Sequence, residues 1–156
     1  MATWRAAQES EDEAIVSMCL ALFAEDPGSY PVDAAQIRRT LAALRREPLR
    51  GTAVVLDIDG RIAGYALLIS FWSNEVGGEL CTVDELFIAA TDRNRGHASR
   101  LLDDLARGEG PWRRPSVALA LEVTPANQRA WRLYERLGFV GGNRTMRRPA
   151  AVVLPD

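Results

Sequence analysis

The chain contains no lysine, since all 19 of its basic residues are arginines. An acyl group therefore has no lysine amine to modify, and the α-amino group is the only free amine. His97 is the single histidine, which excludes a site built on several histidines. The net charge of -2 gives no electrostatic basis for binding nucleic acid, so we expect no nucleic-acid partner.

Cysteine and long apolar runs are also scarce. Cys19 and Cys81 are too few and too far apart for a disulfide framework, and no Cys/His cluster has metal-ligand spacing, so no metal is expected. No apolar run reaches the ~18 residues that span a bilayer, so we expect no membrane partner. The N-terminus lacks the basic and apolar regions of a signal peptide, and we expect a cytoplasmic location.

The remaining composition is that of one globular domain. At 156 residues and 47% hydrophobic content, residues 1–156 suffice for a single core. Two capping boxes, at Ser10 and at Asp33, predict helices behind them. A meander of three antiparallel strands is predicted from 52 to 89, with a hairpin turn at Asp59-Gly60.

The second half alternates between helix and strand. A helix over 99–107, a strand over 117–123 and a helix from a Thr124 cap to Gly138 are predicted, and the tail over 140–154 should add one or two strands. With a strand at the start, the order is β-α-α-β-β-β-α-β-α-β(β). It indicates a mixed α/β (α+β) fold with a mostly antiparallel sheet of six to seven strands and about four helices.

The stretch RNRGHASRLL, residues 93–102, lies between a strand and a helix. Unpaired N–H groups and the partial positive charge of a helix start attract anions. Small residues at Gly96 and Ala98 would let a phosphate approach the backbone, and nearby arginines could contact it. An ordinary helix entrance with a solvated basic face explains the stretch equally well, and the GxGxxG pattern of dinucleotide-binding proteins is missing.

Two motifs together resemble those of the GNAT family of N-acetyltransferases. Arg93, Gly96 and Ala98 match the spacing of the family's acyl-CoA pyrophosphate loop. Asn127, a tyrosine seven residues later and the pair Gly138-Phe139 resemble the family's second signature. Ala98 departs from the commoner glycine. The predicted order of elements is also similar to the family's order over nearly the whole chain.

The resemblance implies acetyl-CoA as co-substrate. Backbone amides from Arg95 to Arg100 would bind the diphosphate, and the strand end at Phe87, Ile88 and Ala89 would pair with the pantetheine arm. The cofactor-binding residues that it implies are Phe87, Ile88, Ala89, Arg93, Arg95, Gly96, His97, Ala98, Ser99, Arg100, Asn127 and Tyr134. His97 is interpreted as part of the loop without a catalytic role.

The resemblance also implies that Tyr134 is the acid that protonates the leaving thiolate. The alternative is that Tyr134 belongs only to the apolar stripe of its helix. For the base, Asp84 and Glu85 are adjacent on a strand and should point to opposite faces. Asp84 takes the place of the carboxylate used by the diamine acetyltransferases, a glutamate there, and Glu85 is the fallback. Either carboxylate could instead be structural.

The acceptor pocket is the least defined part of the sequence. Trp72 and Glu75 could bind a cationic amine together with Asp84, and the long hairpin around them resembles that of small-amine acetyltransferases. The alternative for Trp72 and Glu75 is an exposed hairpin tip.

The function expected from the sequence is acetyl transfer to a primary amine, with a small or polyamine-like acceptor favoured, by direct attack in a ternary complex. The alternatives are an acetyltransferase for protein N-termini or aminoglycosides, and a non-catalytic acyl-CoA sensor. The expected partner is a small-molecule amine, and a homodimer is left open.

Overall fold

The computed structural model describes residues 1–142, 144–148 and 150. Their strands are β1 (Ala2–Ala6), β2 (Gly51–Ile58), β3 (Arg61–Ser73), β4 (Gly78–Ile88) and β5 (Ala118–Leu121). Their helices are α1 (Asp12–Glu25), α2 (Ala34–Arg46), α3 (His97–Ala106) and α4 (Gln128–Arg136).

The strands form one sheet in the order β1-β2-β3-β4-β5, antiparallel except for the parallel pair β4-β5. The mixed α/β fold with four helices is confirmed. The described sheet has five strands, so the predicted count of six to seven is wrong for it. No strand is present over residues 140–142, 144–148 and 150. The rest of the predicted C-terminal strand, at 143, 149 and 151–154, lies outside the described residues.

Helices cover both faces of the sheet. On one face the core joins α3 to the strands, with Leu101, Leu102 and Leu105 packed against β2, β3 and β4. On the other face α1 and α2 cover β2, β3 and β4. Buried α2 residues at 37, 41 and 44 have the helical spacing expected from the sequence.

Of the two predicted capping boxes, one is observed and the other is formed by different residues. Asp33 caps α2 in the predicted capping box with Gln36. At the first helix the box joins Gln8 to Glu11, not Ser10 to Glu13. Arg5 fixes Glu11 by two hydrogen bonds of 2.6 and 3.1 Å, so this carboxylate can accept the Gln8 N–H.

The β2–β3 hairpin turns at Asp59-Gly60, where both residues have positive φ, at 51° and 85°. Such angles favour glycine and the short polar residues. In the parts of the chain that the structure describes, no helix combines the length and apolar character needed to cross a bilayer.

Candidate active site

The parallel strands β4 and β5 separate at Val83. Their pairing runs only from Leu80–Ala118 to Val83–Leu121, while β4 continues to Ile88. A cavity of about 890 Å³ opens between the β4 end, the turn before α3, and α4. A splayed gap is therefore present between these two strands.

The β4 edge offers backbone groups to this cavity. Ala89 donates its N–H to Ala63 at 2.8 Å, so alternate β4 residues hydrogen-bond to β3. Phe87 and Ala89 therefore point their backbone groups at β3, whereas Leu86 and Ile88 point theirs at the gap. Of the three residues predicted for pantetheine, only Ile88 has backbone groups facing the gap. Leu86 is the second such residue, and the sequence analysis missed it because the pairing phase was unknown.

The turn into α3 matches an anion site in its chemistry. Gly96 has a left-handed φ of 77°. Apart from its chain neighbours, no residue lies within 4 Å of the position that a Cβ would take there. No side chain caps α3, so its first N–H groups are free for a ligand. Gly96, His97, Ala98 and Ser99 line the cavity. These donors suit a diphosphate, so the residues present fit the pyrophosphate of acetyl-CoA.

The three arginines that were predicted for the loop do not all line the cavity. Arg93 lines the cavity but donates to the Ile88 carbonyl at 2.7 Å and to both oxygens of Glu25 at 2.8 and 3.0 Å. It therefore ties the β4 end to α1. Arg95 and Arg100 are exposed and do not line the cavity.

The basic side chains that line the cavity from the opposite side belong to α4. The set is Arg129, Arg132 and Arg136. Their spacing of three and four residues puts them on one helix face, a signal that the sequence analysis did not use. Arg129 also donates to Asn94 Oδ1 at 2.9 Å, which joins α4 to the α3 turn.

A buried carboxylate holds the turn from below. Asp92 is 2% exposed and forms a two-bond ion pair with Arg61, at 2.9 and 3.0 Å. The Thr91 hydroxyl adds a third bond at 2.9 Å. The hydrogen bonds from Arg61 hold the pKa of Asp92 at about 2. Asp92 is thus a fixed anion that anchors the start of the turn to β3.

His97 lines the cavity, and its backbone carbonyl accepts a 2.9 Å hydrogen bond from Trp4 Nε1. This bond ties the beginning of α3 to β1, so His97 positions the turn through its backbone.

Tyr134 lines the cavity from α4 and packs edge-on against Phe139, with ring centroids 5.8 Å apart. Desolvation and the negative charge of Asp26 raise the pKa of Tyr134 above that of a free phenol. At neutral pH the hydroxyl is therefore protonated and can act as a proton donor.

Asn127 caps α4, which corrects the predicted Thr124 cap. Asn127 Oδ1 accepts the Ala130 N–H at 3.1 Å, and its Nδ2 donates to Asp26 at 3.1 Å. Thr124 donates to the other Asp26 oxygen at 2.7 Å. These bonds tie the start of α4 to the end of α1. Asn127 also lines the cavity, where its predicted contact with acetyl-CoA stays a prediction.

The two candidate bases lie on the same face of the sheet, contrary to the expectation of opposite faces. Leu67 pairs with Glu85 and Leu68 with Val83, which leaves Asp84 as the extra residue of a β-bulge. Val83 packs towards α3. Glu85 lies on the α1/α2 side by its contacts with Tyr65 and Cys19, and the charge of Asp84 acts on the same Cys19 thiol, which puts Asp84 on this side too. In agreement, the charge of Asp84 raises the pKa of Glu85.

Two side chains donate hydrogen bonds to the Glu85 carboxylate. The Tyr65 hydroxyl donates to Glu85 Oε2 at 2.8 Å, and the Cys19 thiol donates to the same oxygen at 3.5 Å. Burial raises the pKa of Glu85, and the Tyr65 hydrogen bond partly opposes this. Tyr65 and Cys19 are the contacts that the sequence analysis missed, because they lie 20 and 66 residues away in the chain.

Asp84 is more open to solvent. Desolvation and the negative charge of Glu122 raise its pKa, and the positive charge of Arg147 opposes this. Among the described residues, Asp84 has no hydrogen-bond partner for its carboxylate. Its predicted roles as base and in acceptor binding stay predictions.

The structure does not bring the other predicted acceptor residues to this site. Trp72 is 69% exposed, and Glu75 lies in the turn between β3 and β4. Trp72 is five residues along β3 from Leu67, the partner of Glu85, or about 17 Å at ~3.4 Å per residue. Neither Trp72 nor Glu75 lines the cavity.

Residues 1–142, 144–148 and 150 contain no group of three His, Cys, Asp or Glu side chains arranged to hold a metal ion.

The chain is similar to known acetyltransferases. The model of the acetyltransferase (GNAT) family matches residues 15–139. No curated protein is significantly similar to the chain. A possible acetyltransferase from Clostridium difficile 630 is 17% identical with a TM-score of 0.80, covering 97% of this chain and 99% of that one. A ribosomal-protein-alanine N-acetyltransferase from Brucella melitensis biovar Abortus 2308 is 17% identical with a TM-score of 0.74, covering 96% and 100%.

An aminoglycoside N-acetyltransferase in complex with CoA also superposes on the chain. It is 17% identical with a TM-score of 0.74, and the match covers 97% of this chain and 96% of that one. At these identities the structures establish a shared fold, while the family match carries the assignment.

Proposed function

The chain belongs to the acetyltransferase (GNAT) family, and we propose that it acetylates a small primary amine by direct attack in a ternary complex. Acetyl-CoA-dependent N-acetylation is the general reaction of this family. The observation that carries the proposal is the position of the β4 bulge. It puts Asp84 and Glu85 beside the point where β4 and β5 separate and directly before Leu86, which lines the cavity together with the α3 turn and Tyr134.

Acetyl-CoA supplies the acetyl group as a thioester. The α3 turn would hold its diphosphate through the free N–H groups of Gly96, His97, Ala98 and Ser99, and the α4 arginines Arg129, Arg132 and Arg136 would add charge from the other wall. Of the other predicted contacts, Arg95 and Arg100 remain available to groups that lie outside the cavity. Arg93 acts by positioning Ile88, whose N–H faces the gap.

The transfer has a proton balance that the protein must manage. A carbon–nitrogen bond forms and a carbon–sulfur bond breaks. An amine that arrives as an ammonium ion loses two protons in the transfer, the sulfur gains one proton, and one proton is released to solvent. An alkylammonium with a pKa of ~10.4 is neutral in only about one molecule in a few thousand at pH 7. A base that accepts a proton from the nitrogen and an acid that gives a proton to the sulfur therefore contribute ~10²–10⁴-fold each.

We assign Glu85 as the base, with Asp84 as the alternative through a bridging water. Glu85 is held in one orientation by Tyr65 and Cys19, and its raised pKa makes it a stronger base than a solvated glutamate. We assign Tyr134 as the acid, because it lines the cavity and a phenol carries its proton at neutral pH.

A covalent route through a cysteine has no support in these contacts. Burial raises the pKa of both Cys19 and Cys81 to about 12, so neither is a thiolate at neutral pH. Direct attack by the amine is the route that these two thiols leave open.

The test follows the release of coenzyme A thiol from acetyl-CoA with a panel of amines. Tyr134→Phe should lower kcat about 10²–10⁴-fold while acetyl-CoA binding, measured by calorimetry, is retained. Tyr30→Phe is the matched control, because Tyr30 is an exposed tyrosine that does not line the cavity. Equal activity of the two variants would remove Tyr134 as the acid.

A second pair of variants tests the base. Glu85→Gln and Asp84→Asn each remove one charge from the same face of β4. The proposal expects the larger loss of kcat/KM in Glu85→Gln. A larger loss in Asp84→Asn would transfer the role to Asp84. If the protein binds acetyl-CoA but no amine stimulates the release of coenzyme A thiol, a non-catalytic sensor is favoured.

A further inference from the structure

A second cavity lies on the α1/α2 side of the sheet, next to Glu85. Its volume is about 220 Å³. The lining residues come from α1, α2, β3 and β4 and from the segment before α2: Ile15, Cys19, Val32, Gln36, Ile37, Thr40, Leu41, Tyr65, Leu67 and Glu85. Glu85 is the only charged residue among them.

This small cavity adjoins the larger one. Glu85 lines the small cavity, and the next two β4 residues, Leu86 and Phe87, line the larger one. On α1, Cys19 lines the small cavity and Leu22, one turn further, lines the larger one. The lining residues of the two cavities therefore follow one another along both β4 and α1, and Glu85 is the last β4 residue of the small cavity before the larger one.

One oxygen of the Glu85 carboxylate is left to accept a hydrogen bond from a ligand in the small cavity. Both hydrogen bonds that Glu85 accepts from the described residues go to Oε2. Its Oε1 accepts none from them and is accessible, since no buried side-chain oxygen or nitrogen of the described chain lacks a partner. Oε1 is thus free to accept one N–H group from a ligand.

The rest of the cavity is apolar or already hydrogen-bonded. The floor consists of buried side chains, among them Ile15, Ile37 and Leu41. At the exposed mouth, the Thr40 hydroxyl donates to the Gln36 carbonyl at 3.1 Å. The Gln36 side-chain oxygen accepts the Asp33 N–H at 2.7 Å. None of these groups offers an anion to a second cation, and Asp84, the neighbouring carboxylate on this face, does not line the cavity.

We infer that the acceptor is a compact amine with a single cationic nitrogen on an apolar skeleton, such as an arylalkylamine or a branched alkylamine. This inference rests on the proposed function and specifies its substrate class. The amine donates to Glu85 Oε1, and its carbon skeleton packs against the apolar floor. The polyamine-like acceptor favoured by the sequence does not match this cavity.

Size and charge both exclude the larger acceptors. Pockets for drug-sized ligands measure about 300–1,000 Å³, so the small cavity is too small for an aminoglycoside. A polyamine would place its further cations against apolar side chains or leave them in solvent at the mouth. Because an unpaired charge in an apolar site is costly, a diamine of similar length binds less well than a monoamine.

The experiment compares phenethylamine with 1,5-diaminopentane and kanamycin as acceptors, again by thiol release. The expected result is a kcat/KM for phenethylamine about tenfold or more above the others, since leaving one charged group without a partner costs about this much. Direct binding of phenethylamine without acetyl-CoA, measured by calorimetry, should be lost in Glu85→Gln.

A charge variant tests the cavity itself. Thr40→Glu adds a carboxylate at the exposed mouth and should raise the diamine-to-monoamine ratio of kcat/KM about tenfold. Ala35→Glu is the matched control, because it adds the same charge at an exposed position of α2 outside the cavity. It should leave the ratio unchanged.

The outcomes separate the two proposals. Preference for phenethylamine with the expected shift in Thr40→Glu supports the inference. Preference of the unaltered protein for 1,5-diaminopentane or kanamycin overturns the inference and leaves the acetyltransferase. An unchanged ratio in Thr40→Glu removes this cavity as the acceptor site. If the protein binds acetyl-CoA but none of the amines stimulates thiol release, both proposals are overturned.

Discussion

The hydroxyl of Tyr65 donates a 2.8 Å hydrogen bond to Glu85 Oε2. Tyr65 is fully buried in β3, and Glu85 follows the bulge in β4. The bond fixes the carboxylate at the junction of the two cavities and favours its charged form. This pair therefore sets both the orientation and the basicity of the proposed base.

Tyr65→Phe should raise the pKa of Glu85, because the hydrogen bond from Tyr65 lowers it. A base is active when deprotonated, so activity is lost below its pKa. The acidic limb of the pH profile of kcat/KM should therefore move to higher pH. Stability should fall by about 1–3 kcal/mol. An acidic limb at the same pH as in the unaltered protein and in the Tyr30→Phe control would contradict the role of Glu85.

Asp92→Asn should weaken the anchor of the α3 turn in a pH-dependent way. The folded pKa of Asp92, about 2, lies below its ordinary value of 3.8. Its contribution to stability is therefore complete above about pH 4 and is lost as the pH falls towards 2. The difference in Tm between the unaltered protein and Asp92→Asn should be largest near neutral pH and shrink between pH 4 and 2.

Thermal melts by circular dichroism across this range provide the measurement. Asp103→Asn is the control, since Asp103 is an exposed α3 carboxylate without a hydrogen bond to its side chain in the described chain. A Tm difference for Asp92→Asn that does not change with pH would show that the Arg61 pair is not responsible.

Asn127→Ala should destabilise more than Thr124→Val. Asn127→Ala removes the α4 cap and one bond to Asp26, whereas Thr124→Val removes only a bond to Asp26. Loss of the cap costs about 0.5–2 kcal/mol. Because α4 holds Tyr134, kcat should also fall more in Asn127→Ala. Urea unfolding and steady-state kinetics compare the two variants, and the reverse order would show that the cap is not the main tie.

Neither cysteine should react with a thiol reagent in the folded protein. With a pKa of about 12, each thiol is ionised in only about one molecule in ten thousand at pH 8. Titration with a chromogenic disulfide should detect both thiols only after unfolding in guanidinium. Incubation with acetyl-CoA alone should leave the mass of the protein unchanged, and an acetylated cysteine would contradict direct attack.

The parts of the fold that depend on neighbouring residues were predictable from the sequence. The Asp33–Gln36 cap, the Asp59-Gly60 hairpin and the glycine turn before α3 each require only a few consecutive residues in particular conformations. The order of elements follows from hydrophobic periodicity. The predicted caps at Ser10 and Thr124 are wrong, and they show the limit of such signals. Hydrogen bonds to residues outside the turn, from Arg5 to Glu11 and from Asn127 to Asp26, select other caps.

The sequence by itself determined the class of the molecule and the two motifs that bring a helix start and a tyrosine to one cavity. Only the tertiary structure decided which carboxylate lies where. One extra residue in β4 moves Asp84 and Glu85 onto the same face, and no local pattern reveals a strand register. The contacts that tune Glu85 join residues 20 and 66 positions apart, and such pairs exist only once the chain has folded.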